Sequence, residues 1–239
     1  MGAALDRDTI EKAYARWAPV YDIVFGAVFE RGRLATIAAA EEHLGPQGGR
    51  ILEVGVGTGI SLQSYNRKNR LVGIDISAPM LRRAQDRVIE HRLTNVEALA
   101  VMDAKHLAVP DASFDAVVAQ YVITAVPDPE ATLDEFVRVL KPGGEIILVN
   151  HLGAESGPRR LFEQGFAPMA RRLGWRPEFR WGRLARWAEQ HGGVHVLERR
   201  PMPPLGHFSL IRFGRRAAGT DGHGRPTADA LPYAPGRAG

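Results

Sequence analysis

The chain contains no cysteine, which excludes disulfide bonds, thiolate metal ligands and cysteine nucleophiles and suits a reducing cytosol. It also lacks a long apolar run: no uncharged segment approaches the roughly 20 residues that a helix needs to cross a bilayer. Residues 1–8 have no apolar stretch of the kind a secretory signal requires, so no such signal is expected. With 45% hydrophobic and 24% charged residues, the composition is that of a folded globular protein, soluble or peripherally attached to a membrane.

The net charge of +4 is distributed unevenly along the chain. Residues 1–150 carry a net charge of −4, residues 151–216 carry +8, and the remaining tail is neutral. This asymmetry indicates either an anionic partner on one part of the surface or a solvated arginine-rich face.

From residue 50 onward, short apolar runs alternate with helical patterns. The runs predict five core strands, at residues 50–54, 71–74, 96–101, 114–119 and 145–149. Amphipathic spacing predicts helices at 78–91, with Ser77 as its N-cap, and at 132–140, ended by Lys141-Pro142-Gly143-Gly144. Two further runs, at 194–197 and 207–213, are expected to form a terminal antiparallel pair. This alternation predicts an α/β fold with a doubly wound, mostly parallel sheet.

Candidate binding residues stand where the predicted strands end. Gly55, Gly57 and Gly59 follow the first strand, where a tight turn needs positive φ and close backbone approach to a ligand. Asp75 ends the second strand, and its carboxylate can accept both hydroxyls of a ribose. Asp103 follows the third strand and can bond an adenine amino group. Ligands of doubly wound sheets bind beyond these strand ends, so the pattern predicts a nucleoside site.

The spacing of the glycines argues against a dinucleotide oxidoreductase, whose G-x-G-x-x-G pattern would put its third glycine at Ile60. The loop here reads G-x-G-x-G after Glu53, and a Leu-Lys-Pro-Gly-Gly turn precedes the fifth strand. Together with the two aspartates, this set resembles class I S-adenosylmethionine (SAM)-dependent methyltransferases over about residues 33–150. The resemblance implies a Rossmann-like, seven-stranded fold with SAM as cofactor and S-adenosylhomocysteine as product.

The resemblance also implies which residues surround SAM. Glu53 and the loop would flank the methionyl portion, Asp75 and Ile76 the ribose, and residues 102–104 the adenine, while Gln120 and Tyr121 would face the sulfonium. The complete set of expected cofactor contacts is Tyr14, Glu53, Gly55, Gly57, Gly59, Asp75, Ile76, Met80, Met102, Asp103, Ala104, Gln120 and Tyr121.

A narrower resemblance lies in residues 14–22, Tyr-Ala-Arg-Trp-Ala-Pro-Val-Tyr-Asp, in Val149-Asn150-His151 and in Phe162-Glu163. These segments resemble bacterial phospholipid N-methyltransferases, which methylate phosphatidylethanolamine towards phosphatidylcholine. The W-A-x-x-Y-D element recurs in quinone and other small-molecule methyltransferases, so a soluble acceptor stays open. A SAM-fold module that binds RNA or a partner without catalysis is a third hypothesis, disfavoured by the intact loop and both acids.

The phospholipid resemblance implies a phospholipid substrate and peripheral association with an anionic membrane surface on its cytoplasmic face; no nucleic acid and no metal are expected. The organisation expected is a helical lid or membrane contact at 1–30, a methyltransferase domain at 31–216 with a small helical cap at about 155–190, and a disordered tail at 217–239. Tyr14, Tyr21, Tyr121 and His151 are the candidate catalytic residues. Asn150, Arg180 and Arg183 are the candidate headgroup contacts.

Two segments are expected to select the acceptor. Residues 20–29 carry one charge, Asp22, and predict either a lid packed over the cofactor or a helix in the lipid interface. Residues 159–187 interleave arginines with phenylalanines and tryptophans. That pattern suits lipid headgroups or RNA, although any single aromatic there is better read as core.

Overall fold

The computed structural model describes residues 26–153, 179–202 and 208–217. Within them, one sheet is built from strands β1 (Arg50–Val54), β2 (Arg70–Asp75), β3 (Val96–Val101), β4 (Phe114–Gln120), β5 (Leu140–His151), β6 (Val194–Met202) and β7 (Phe208–Arg215). Their order in the sheet is β3-β2-β1-β4-β5-β7-β6. The first five strands are parallel, whereas β7 runs antiparallel to both β5 and β6. The predicted seven-stranded, mostly parallel sheet and its terminal antiparallel pair are confirmed.

Helices cover both faces of this sheet. They are α1 (Gly26–Leu44), α2 (Ala78–Glu90), α3 (Pro129–Val139) and α4 (Trp181–His191), with short 3-10 turns at Gly45–Gln47 and Leu62–Ser64. Because side chains alternate along a strand, Ile147 packs in the cluster that contains α1 and Leu81 of α2, whereas Ile146 packs against α3 and α4. The central strands are therefore covered on both faces, which is why they read as continuous apolar runs.

Most element boundaries lie close to the predicted ones. β6 is longer than predicted and ends at Met202 instead of residue 197, because the added residues are mostly exposed and form no apolar run. β5 begins at Leu140 instead of residue 145, because Leu140 pairs with Phe114 before the predicted turn residues bulge out and pairing resumes at Glu145. Ser77 is the N-cap residue of α2, as predicted, but its hydroxyl makes no capping hydrogen bond.

The arginine-rich and aromatic stretch is described only from Phe179 onward, and there it belongs to the core. Phe179 and Trp187 are buried, and the Trp187 indole N–H donates to Asp134 at 2.8 Å. Trp181 stacks on Phe213, with ring centroids 6.3 Å apart. These aromatics attach α4 to the sheet, so the core interpretation holds for them. Residues 1–25 of the expected lid at 1–30, most of the expected cap and residues 218–239 of the expected tail lie outside the described residues, and residues 26–30 form the start of α1.

In the part of the chain that the structure describes, no helix is long and apolar enough to cross a membrane.

Candidate active site

The loop after β1 is a turn whose backbone requires glycine. Gly55, Gly57 and Gly59 have φ angles of 71°, 56° and 74°. A Cβ at Gly55 would lie 2.2 Å from Val122, and a Cβ at Gly59 would lie 3.0 Å from Ala84 on α2. Gly55 and Gly59 thus let the loop pack closely against its own fold. A Cβ at Gly57 would meet nothing closer than 4.0 Å, so the loop faces open space there.

Asp75 connects the end of β2 to this loop. Its Oδ2 accepts a hydrogen bond from the Gly57 N–H, and its Oδ1 accepts one from the Ser77 N–H, both at 2.9 Å. Burial raises the pKa of Asp75, although backbone hydrogen bonds from Ser77, Gly57 and Ile76 lower it. Each carboxylate oxygen has a second lone pair, so Asp75 can still accept hydroxyl donors from a ligand.

A cavity of about 350 Å³ opens at these strand ends. Eleven of the predicted cofactor contacts line it: Glu53, Gly55, Gly57, Asp75, Ile76, Met80, Met102, Asp103, Ala104, Gln120 and Tyr121. Gly59 does not line it and instead shapes the turn, while Tyr14 lies outside the described residues. The structure therefore brings the ends of β1, β2, β3 and β4 together around one site.

Glu53 is a buried acid in the wall of the cavity, with 2% of its surface exposed. Its Oε1 accepts a short hydrogen bond from the Ser61 hydroxyl, while its Oε2 is buried and makes no hydrogen bond of good geometry, although the Tyr65 hydroxyl lies close to the carboxylate. Burial raises the pKa of Glu53 to about 7, against the hydroxyls of Ser61 and Tyr65 and the charge of Arg33, which lower it.

These unsatisfied atoms fit a polar ligand. The Ser77 hydroxyl, also at the cavity wall, is likewise buried without a partner. Buried polar atoms in folded proteins are normally hydrogen-bonded, so two of them in one cavity indicate a place where a ligand or water completes the bonding. The ammonium and hydroxyl groups of SAM supply donors of the kind that Glu53 and Asp75 require.

The end of β3 forms the other side of the cavity. The Met102 N–H donates to the Asp75 carbonyl at 3.1 Å, which fixes the distance between the two strand ends. Asp103 Oδ1 accepts from the Lys105 N–H at 3.0 Å, and Lys105 Nζ contacts Asp128 Oδ2 at 3.3 Å. The side chains of Met102 and Ala104 pack against the apolar core, which gives this side an apolar wall suited to a purine ring.

Gln120 and Tyr121 line the cavity, but their polar ends are bound to α1. Gln120 Nε2 donates to the Thr36 hydroxyl at 2.8 Å, and the Tyr121 hydroxyl donates to the Phe29 carbonyl at 3.0 Å. A Cβ at Gly32 would stand 2.1 Å from the Tyr121 hydroxyl, so glycine is needed where the helix crosses the tyrosine. Both side chains therefore fasten α1 over the strand ends.

Of the described acceptor-side candidates, Tyr121 lines the cavity, whereas those around β5 and α4 do not. His151 is half-buried, with its ring 6.1 Å from that of Phe208. Asn150 is fully buried, and its Nδ2 has no hydrogen-bond partner. Arg183 forms a two-nitrogen ion pair with Glu130, at 2.5 and 2.6 Å, and Arg180 is exposed. Tyr14 and Tyr21 lie outside the described residues.

The predicted set of cofactor contacts lacks several residues that line the cavity, among them Phe29 and Arg33. Both come from α1, which precedes the segment that carries the recognisable motifs. A signal was available, since Phe29, Arg33 and Thr36 recur at helical spacing and predict one face of α1.

Comparison with known proteins agrees with this geometry. A methyltransferase domain family matches residues 52–148. A phosphatidylethanolamine N-methyltransferase from Cereibacter sphaeroides is 41% identical over 212 residues, 89% of this chain and 100% of that protein. A demethylmenaquinone methyltransferase from Roseiflexus sp. (strain RS-1) is 30% identical, covering 71% of this chain and 73% of its own.

Among solved structures, a putative methyltransferase from Bacillus halodurans C-125 shares the fold. Its TM-score is 0.64 at 16% identity, covering 77% of this chain and 99% of that one. The match along the whole length of the Cereibacter protein, together with the cavity at the glycine loop, identifies the chain as a member of the class I SAM-dependent methyltransferases, with SAM as its methyl donor.

Proposed function

We propose that this methyltransferase methylates the amino headgroup of phosphatidylethanolamine, and then its methylated intermediates, towards phosphatidylcholine at the membrane surface. The observation that carries the proposal is the 41% identity to the Cereibacter phosphatidylethanolamine N-methyltransferase along that protein's full length. The similarity to the Roseiflexus demethylmenaquinone methyltransferase is weaker, at 30% identity over 73% of that protein. An amine acceptor is therefore favoured over a quinone.

We assign Glu53 to the methionyl ammonium of SAM, Asp75 to the ribose hydroxyls and Asp103 to the adenine. Bound SAM supplies a methyl group that its sulfonium makes electrophilic. Contacts at the methionyl and adenine ends of SAM hold this methyl group in one orientation. Such positioning contributes most of the rate acceleration of an in-line displacement.

The acceptor nitrogen needs its lone pair before it can react. A primary amine like that of lysine has a pKa of about 10.4, so the headgroup is mostly protonated at neutral pH and must first lose a proton. We assign His151 to accept it, because it is the titratable side chain that ends β5. The C–N bond then forms as the C–S bond breaks, and the electron pair of the broken bond stays on sulfur.

Tyr121 serves this reaction by position. Burial raises its pKa above the ordinary value of 10.0, and its hydroxyl donates to the Phe29 carbonyl, so the phenol stays neutral at physiological pH. A neutral tyrosine is a poor base, but its ring can stabilise the cationic, increasingly methylated headgroup.

Association with the cytoplasmic face of the membrane is part of the proposal. The net charge of +8 in residues 151–216 suits an anionic leaflet, and the apolar residues 20–28, which precede the buried Phe29, suit insertion at the headgroup level.

The decisive test incubates the full chain with methyl-labelled SAM and vesicles that contain phosphatidylethanolamine, phosphatidylglycerol and demethylmenaquinone. Label is expected in mono-, di- and trimethylated phospholipid. Label in the quinone with none in phospholipid would overturn the proposal and favour a quinone methyltransferase. His151→Gln should lower turnover and leave SAM affinity unchanged, with the deficit shrinking at high pH, where the free amine is more abundant.

A further inference from the structure

One face of α1 closes the cavity from above the strand ends. Phe29, Gly32, Arg33 and Thr36 share this face, because they recur at intervals of three and four residues. Phe29 and Thr36 are hydrogen-bonded to the end of β4, and Gly32 allows the helix to touch it. Arg33 lies between these anchors and lines the cavity, so its backbone position is fixed relative to the glycine loop.

The cavity wall beside the glycine loop thus carries charges of both signs. Arg33 and Glu53 both line it, and the charge of Arg33 lowers the pKa values of Glu53 and Tyr121, so the guanidinium lies within electrostatic reach of both. A cation and a buried carboxylate facing one cavity are complementary to a zwitterion. The methionyl portion of SAM carries an ammonium and a carboxylate on a single carbon atom.

We propose that Arg33 binds the carboxylate of the methionyl portion of SAM, opposite Glu53. A guanidinium can hold a carboxylate through two parallel N–H···O bonds, and hydrogen bonds between charged groups are stronger than neutral ones. Bound SAM then bridges α1 and the β1 loop, so its binding tightens the helix against the sheet. The contact concerns the methyl donor and therefore holds for any acceptor.

The test compares three ligands by calorimetry without acceptor: SAM, decarboxylated SAM, which keeps the amine, and 5′-methylthioadenosine, which has neither group. Arg33→Gln should weaken SAM binding by about ten- to a hundredfold and leave the other two affinities unchanged. Glu53→Gln should weaken both amine-containing ligands and leave 5′-methylthioadenosine unchanged. Arg33→Lys, which keeps the charge but loses the two-nitrogen fork, should fall between wild type and Arg33→Gln.

Two results would overturn the inference. Unchanged SAM affinity in Arg33→Gln would exclude the carboxylate contact and leave the arginine to an anionic acceptor group. An equal loss for all three ligands would mean that Arg33 only shapes the cavity. The wild-type protein provides a measurement that does not depend on the folding of any variant. Decarboxylated SAM should bind it about ten- to a hundredfold more weakly than SAM, because the ligand has lost the carboxylate. Equal wild-type affinities for the two ligands would also refute the inference.

Discussion

The Asp75 carboxylate accepts a hydrogen bond from the Gly57 N–H at 2.9 Å, and thereby ties the end of β2 to the turn that follows β1. One side chain thus orders the loop and offers its remaining lone pairs to the ribose. Asp75→Ala removes both contributions and should weaken SAM binding by about 1.5–3 kcal/mol. Asp75→Asn keeps an acceptor oxygen for Gly57 and should lose less. Calorimetry that finds Asp75→Ala equal to wild type would reject the ribose assignment.

Gly55 and Gly57 form a matched pair that separates folding from binding. Both have positive φ, but a Cβ at Gly55 meets Val122 at 2.2 Å, whereas one at Gly57 meets nothing closer than 4.0 Å. Gly55→Val should therefore destabilise the fold. Gly57→Val should lower the free energy of unfolding only by the left-handed backbone cost of about 1–2 kcal/mol. Its side chain, however, enters the space that SAM needs. Thermal unfolding and SAM titration of both variants check this; normal SAM binding by a folded Gly57→Val would contradict the loop assignment.

The sequence predicts the central strands β1, β2, β4 and β5 well because they are buried on both faces. An apolar run such as residues 145–149 leaves few alternatives, and Gly55 and Asp75 must follow strands for steric and chemical reasons. Local patterns say less about what a polar side chain will touch. Ser77 occupies the predicted N-cap position, but the first turn of α2 receives no bond from its hydroxyl.

Contacts made across the chain account for the other differences. Gln120 bonds Thr36, 84 positions away, and Arg183 bonds Glu130, 53 positions away. No local pattern identifies such partners. Trp187 is similar: the arginines beside it leave a lipid or RNA contact open as well as the core, and its burial against Phe213 comes from tertiary packing.

A buried ion network should make stability depend on pH. His43 Nδ1 lies 3.1 Å from Glu145 Oε1, and this hydrogen bond raises the pKa of His43 above its ordinary 6.5, against the effect of burial. Burial raises the pKa of Glu145, but hydrogen bonds from His43 and Arg212 outweigh it and leave the pKa lowered from 4.5. The contribution of His43 to the free energy of unfolding is complete below about pH 6.5 and is lost as pH rises through its raised pKa. The contribution of Glu145 is complete above about pH 4.5 and is lost as pH falls through its lowered pKa.

His43→Gln should therefore lower the free energy of unfolding most between about pH 4.5 and 6.5, by on the order of 1 kcal/mol, and less at alkaline pH. Urea unfolding of wild type and variant across this range measures the difference. His195→Gln, at an exposed position of β6, is the control and should not alter the pH dependence. A His43→Gln deficit that is constant with pH would mean that packing, and not charge, accounts for it.

Vesicle binding should separate into a salt-sensitive and a salt-resistant part. The +8 net charge of residues 151–216 should recruit the protein to anionic vesicles, and added salt should weaken this attraction, because the Debye length falls from about 10 Å at 0.1 M to about 3 Å at 1 M. Apolar insertion does not depend on screening, so part of the binding should persist. Flotation with equal recovery on neutral and anionic vesicles at low salt would exclude the electrostatic part.

The salt-resistant part of vesicle binding should depend on residues 20–29, in which Asp22 is the only charged residue. The double substitution Phe25→Ser and Val28→Ser makes this stretch more polar and leaves the candidate catalytic residues Tyr14 and Tyr21 unchanged. If the stretch inserts at the lipid interface, salt-resistant vesicle binding should fall while SAM affinity stays nearly constant. If it packs over the cofactor instead, thermal stability and SAM affinity should fall together, because buried hydroxyls without partners are costly. Ile89→Ser, at a position of α2 that is 67% exposed, is the matched control and should change neither quantity. Loss of SAM affinity with vesicle binding intact would count against a membrane role for this stretch and favour a soluble acceptor.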